Sequence, residues 1–156
     1  MSQKKLEHYL KALIIGTALC GLLIYLVIMP HCLREMFPDS RTSRAIWMAF
    51  LLPALIPCYR VLSYGWQIAG RIGADHSFCT ENALALKRIS LLAALDTAYV
   101  LLTQTVFLPL GLSRATVAMF ALVLVFIGIA ISTAAIALAH LVEKAAKLQE
   151  ENDATV

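Results

Sequence analysis

Two ionisable residues, Arg60 and Asp96, stand inside otherwise apolar stretches of the chain. A charged side chain at the centre of a bilayer costs about 2.5–3.5 kcal/mol on insertion scales, so each needs a partner or a purpose. Arg60 comes about eight residues before the end of its stretch, and Asp96 about seven residues into the next. With a helical rise of about 1.5 Å per residue, both sit about 10–12 Å deep, measured from the same side. Equal depth on antiparallel neighbours predicts an Arg60–Asp96 pair. That pair has two readings. It is a buried clasp that fixes how two helices pack, with Arg60 snorkelling as the simpler variant, or it is a switch or site for protons or ligands. Gln104 follows Asp96 by two turns on much the same face and extends a polar track. Thr97, Thr103 and Thr105 are expected to bond to their own helix backbone.

The other residues with chemical potential form no working constellation. His8, His76 and His140 are expected at one surface, and Cys79 follows His76 by three positions, but no carboxylate spacing supports a metal site there. His31 beside Cys32 offers still less. Cys20, Cys32, Cys58 and Cys79 contain no C-x-x-C pair and match no zinc module, so neither a metal nor a structural disulfide is expected. There is no nucleophile–base arrangement, no P-loop and no glycine-rich nucleotide fingerprint. The expectation is a non-enzyme without a cofactor.

The elements that carry these residues follow from composition. The chain has 156 residues, 60% of them hydrophobic and 15% charged, with a mean hydropathy of +0.78. Soluble domains hold about 45–50% apolar and about 25% charged residues. Too few charges remain to coat a water-facing surface, whereas a lipid bilayer lets apolar side chains face outward. The net charge of +3 is mild and gives no sign of direct nucleic-acid binding. Apolar runs at 10–29, 45–67, 89–110 and 115–141 each reach the roughly 20 residues needed to span the hydrocarbon core. The short alternating segments of a membrane barrel are absent. The predicted fold is all-α: one domain over 1–156, an integral membrane bundle of four transmembrane helices. The first run follows basic residues, as a signal peptide does. It is followed by Met29-Pro30-His31-Cys32 with no small-residue cleavage site, so it reads as an uncleaved anchor.

Charge sets the expected orientation. Lys4, Lys5, Lys11, Arg71, Lys87, Arg88, Lys144 and Lys147 lie on one side, against Arg34, Arg41, Arg44 and Arg114 on the other. This excess places both termini in the cytoplasm. The outer loop, Pro30 to Arg44, is polar and long enough for a short cap. Pro109 and Gly111 break the third span, and Ser113 is placed to cap the fourth. On the cytoplasmic side, Asp75, Ser77 or Thr80 is placed to cap the third helix, with Glu81 near its positive end. The fourth helix continues past its apolar run into the cytoplasm. Pro53 and Pro57 remove two helical hydrogen bonds from the second span and predict a kink. In the fourth span, Gly128, Ser132, Ala135 and Ala139 share one face, which suits either packing inside the bundle or a homodimer seam.

Several stretches together resemble a known family. They are Ile56 to Arg60, Gly73 to Ser90, Val125 to Ala130, and the ending from Lys144 onward. The most distinctive is Asp75-x-Ser77-Phe78-x-x-Glu81-Asn82, followed by Leu86-Lys87-Arg88-Ile89. The chain resembles the DUF2975 family of short bacterial four-span membrane proteins, over nearly its whole length. Family members typically carry Ser or Thr where this chain has Cys79, which leaves Thr80 as the expected cap. The resemblance implies the bacterial cytoplasmic (inner) membrane. Genes of the family often sit beside genes for very small helix-turn-helix regulators, which implies a membrane protein that binds or restrains a transcription factor. The expected docking surface is Asp75, Ser77, Phe78, Glu81, Asn82, Lys87 and Arg88, with the C-terminal helix from Glu143 to Glu151. The competing expectation is a small dimeric, proton-coupled exporter or carrier that uses Asp96.

Overall fold

The structure is a computed structural model, and it describes residues 3–153. The final three residues of the family-like ending therefore lie outside the described residues. The described elements are helical: α1 Gln3–Leu23, a π-helical turn Ile24–Ile28, α2 Met29–Met36, α3 Arg41–Gly73, α4 Thr80–Phe107 and α5 Ala115–Asp153. Taken as Gln3–Met36, Arg41–Gly73, Thr80–Phe107 and Ala115–Asn152, four helices are long and apolar enough to cross a membrane.

The first span does not end at Pro30. The Met29 N–H reaches back to the carbonyl of Ile24, five residues earlier, and the helix runs on to Met36. Pro30 has no N–H to give and its ring crowds the preceding turn, and a widened π turn accommodates both. The loop after the first span thus shrinks to Phe37–Ser40. Ser40 accepts the Ser43 N–H at 3.2 Å as the α3 cap, and Arg44 holds the carbonyls of Phe37 and Pro38 at 3.1 Å each. Pro53 and Pro57 both lie inside α3, which continues past them as one helix.

The long helices pack as an open row. α1 lies on α3, α3 on α4 and α4 on α5, while α1 approaches neither α4 nor α5 within 8 Å between Cα atoms. At the end of the row opposite the termini an aromatic knot joins α3 to α4: Trp47 meets Phe107 edge-on at 5.0 Å and Phe50 stacks on Tyr99 at 4.6 Å. The indole N–H donates to the Leu112 carbonyl at 2.8 Å and the Tyr99 hydroxyl to the Phe50 carbonyl at 3.0 Å, so both polar tips are satisfied. Gly111 turns the α4–α5 connection with φ of 68°, which costs a residue without Cβ nothing.

The α4–α5 seam is the tightest. Gly128, Ser132, Ala135 and Ala139 all lie in it, and Ala139 is 0% exposed. The Ser90 hydroxyl donates to the Ser132 carbonyl at 2.8 Å, and Ser132 returns the bond to the Ser90 carbonyl at 2.9 Å. A Cβ at Gly128 would run into Thr97. The small-residue face therefore packs against α4 of the same chain.

Candidate functional site

Two places bring the chemically interesting residues together. The first is the end of the row where α1 begins, α3 joins α4 and α5 finishes. Here the 74–79 turn is organised by Asn82, which is only 2% exposed. Its amide hydrogens go to the carbonyls of His76 (3.2 Å) and Ser77 (3.0 Å), and its oxygen accepts Arg71 Nη1 at 3.2 Å. A buried amide satisfied on both sides rigidifies a turn, whereas an unsatisfied one costs about 1–3 kcal/mol. Asp75 takes a left-handed φ of 63° and accepts the Gln3 side-chain amide at 3.1 Å, tying the start of α1 to the turn.

None of Asp75, Ser77 or Thr80 caps α4. Cys79 occupies the cap position, and its side chain makes no capping bond to the helix N–H groups. Sulfur is a weak acceptor. Glu81, outside the apolar stretch, folds back on its own N–H and also pairs with the Cys79 side chain; both hold its carboxyl below the usual carboxylate range. At the other end of α4, Ser113 is likewise diverted, donating to Gln104 Oε1 at 2.9 Å. Gln104 thus belongs to the α4–α5 turn and does not extend a track from Asp96.

The expected docking residues divide accordingly. Asn82 is the internal lock of the turn. Lys87 bonds Glu143 of α5 at 2.8 Å, and this contact first, then Lys147 and His140, depresses the Glu143 carboxyl. Arg88 leans over the Tyr64 ring at 5.7 Å. Asp75, Phe78 and Glu81 remain exposed, with Phe78 58% accessible. Phe78, Cys79, Glu81, Ala146, Gln149 and Glu150 line a shallow groove of about 190 Å³ between the turn and the α5 extension. The sequence reading missed Arg71, whose role needs the fold to bring α3 beside Asn82.

The second place is Asp96, inside the apolar layer. Its Oδ2 accepts the Cys58 thiol at 3.7 Å, while its Oδ1 is buried without a hydrogen-bond partner. Arg60 is exposed and makes no ion pair with Asp96 among the described residues. The expected pair fails on azimuth, not depth. Cys58 faces α4, and Arg60, two residues on, is turned roughly 200° around the helix. Thr97, Thr103 and Thr105 bond the carbonyls of Ala93, Tyr99 and Leu101 in their own helix, as expected. All four cysteines are free, and among the described residues no three His, Cys, Asp or Glu side chains gather closely enough to hold a metal ion.

Comparison with known proteins adds one match. The profile of a family described as a protein of unknown function, DUF2975, covers residues 29–156. No curated protein and no solved structure matches the chain.

Proposed function

We propose that this chain, which belongs to the DUF2975 family, is a non-enzymatic regulatory protein of the bacterial inner membrane that holds a small helix-turn-helix transcription factor at the cytoplasmic surface. The observation that carries the reading is Phe78, an aromatic held out at 58% exposure beside a groove by a turn whose polar groups are consumed internally. Preorganised aromatic anchors of this kind dominate binding energy at protein interfaces. The rim carries Glu81 and Glu150, so it complements a basic face, and a DNA-binding domain must have one. A regulator docked through that face is withheld from DNA. The positive-inside excess of Lys and Arg supports the cytoplasmic placement of this surface.

The test is extraction in native lipid, followed by identification of proteins that co-purify at comparable abundance. A helix-turn-helix protein is expected, and its binding to Phe78→Ala with Glu150→Lys should fall on the order of 30-fold, the loss of one hot spot. Undiminished binding by that variant would rule out this surface as the dock.

The orphaned Asp96 Oδ1 favours a second reading, a dimeric proton-coupled carrier in which this carboxyl exchanges its proton. Under that reading Asp96→Asn abolishes flux in proteoliposomes while the helices remain intact; flux that survives the substitution excludes it.

A further inference from the structure

Arg60 and Arg88 lie outside both the groove beside Phe78 and the Asp96 site. Both are exposed, and among the described residues neither forms an ion pair. Tyr64 is contacted by Arg88 and stands one helical turn beyond Arg60. Arg88 comes from α4, placing its guanidinium 5.7 Å from the Tyr64 ring and donating to the Tyr64 hydroxyl at 3.5 Å. Arg60 precedes Tyr64 by four residues on α3, hence on the same helix face and about 6 Å deeper.

The neighbours of each arginine are those of a lipid-facing stripe. On α3, Leu52 and Ile56 precede Arg60 at four-residue spacing, and both are exposed. On α4, Leu84, Leu91 and Leu95 flank Arg88 at helical spacing and are exposed as well. Arg60 therefore sits at the terminus-side end of its stripe and Arg88 one turn inside its own, each stripe long enough to lie against an acyl chain. An unpaired guanidinium at that depth must reach the headgroup layer or be neutralised there. The carboxylates nearest along the fold are engaged elsewhere: Asp96 turns to Cys58, Glu143 to Lys87 and Glu7 to Lys11.

We propose that Arg60, Tyr64 and Arg88 form a binding site, on the exposed flank of α3 where Arg88 of α4 reaches over to Tyr64, for the phosphate of an anionic phospholipid in the leaflet on the terminus side. Two guanidinium forks and the phenol supply donors to the phosphate oxygens, and the leucine stripes take the acyl chains. The site lies on the flank of the row, separate from the Phe78 groove, and needs no protein partner.

The test uses the full chain in detergent. Bound lipid is counted by native mass spectrometry during titration with phosphatidylglycerol, with phosphatidylcholine of the same acyl chains, and with inorganic phosphate. Phosphatidylglycerol should bind on the order of 30-fold more tightly than phosphatidylcholine, the preference expected of two arginines at an anionic headgroup. Arg60→Gln with Arg88→Gln should abolish the preference, and Arg60→Lys with Arg88→Lys should keep most of it. Should the double glutamine variant lose its helical circular dichroism, Arg88→Gln alone, a change at an exposed side chain, must still reduce the preference several-fold. Equal binding of the two lipids by the unaltered chain would overturn the proposal. So would an unchanged preference in a folded glutamine variant, or displacement of the lipid by millimolar inorganic phosphate, which would mark a soluble-anion site.

Discussion

The two flanks of the helix row are built differently. Between α4 and α5, small residues face each other, the backbones close up, and Ser90 and Ser132 exchange hydrogen bonds across the gap. Between α1 and α3, Tyr59 donates one bond to the Ala18 carbonyl at 2.8 Å, and larger side chains such as Ile14, Leu62 and Trp66 hold the helices apart around a groove of about 470 Å³. α1 buries none of its residues, whereas α4 buries Asn82, Ala83, Ala85, Ser90 and Thr103. In lipid there is no hydrophobic gain from bringing two apolar helices together, so close packing and interhelical hydrogen bonds decide which pair is tight. A helix can be amply apolar for the membrane and still be only loosely attached to its own protein.

Substitutions at glycine sharpen the contrast most. Gly128→Leu places a large side chain where even a Cβ would meet Thr97, whose own Cβ would lie 3.2 Å away. It should cost about 1–3 kcal/mol, read from unfolding in mixed micelles. Next comes Asn82→Ala, which leaves Arg71 and two turn carbonyls without their partner. The expected loss is about 1–3 kcal/mol, with faster amide exchange confined to residues 74–79. Ser132→Ala removes one of the two reciprocal bonds, and about 0.6 kcal/mol is expected, the average for interhelical bonds in membrane proteins.

A smaller, local effect concerns the α5 extension. Lys87 lowers the folded-state value of Glu143, so the stabilisation is present above the ordinary carboxylate value of 4.5. It fades as the pH falls through the depressed folded value. A fluorophore pair on α4 and the end of α5 should report separation only in that acid range; separation that begins near neutrality would point to a different contact. On the loose flank, Gly21→Ala meets only the Tyr59 hydroxyl at 3.6 Å, ordinary contact, and should change stability by less than about 0.5 kcal/mol. A loss as large as that of Gly128→Leu would erase the distinction between the flanks.

Much of this architecture was legible in the residues. The apolar runs located the spans because only helices of that length satisfy their backbone inside lipid. The spacing of Gly128, Ser132, Ala135 and Ala139 marked a close-packing face, and the threonines were rightly expected to bond their own helices. The Arg60–Asp96 pair was not recoverable in the same way. Depth along a helix follows from counting residues. Azimuth depends on how a neighbour is rotated, and the rotation that seats Trp47, Phe50 and Cys58 against α4 turns Arg60 outward.

Local sequence therefore determined that the chain is helical, where it is apolar enough to cross a membrane, and which motif marks the α3–α4 turn, since each rests on near-neighbour chemistry and chain length. Tertiary structure alone decided that Asn82 locks that turn while Phe78 stands out of it, that Cys58 faces Asp96, and that the small-residue face of α5 is spent on α4. Those outcomes depend on the relative rotation of whole helices, which many side chains set together and no single stretch of sequence records.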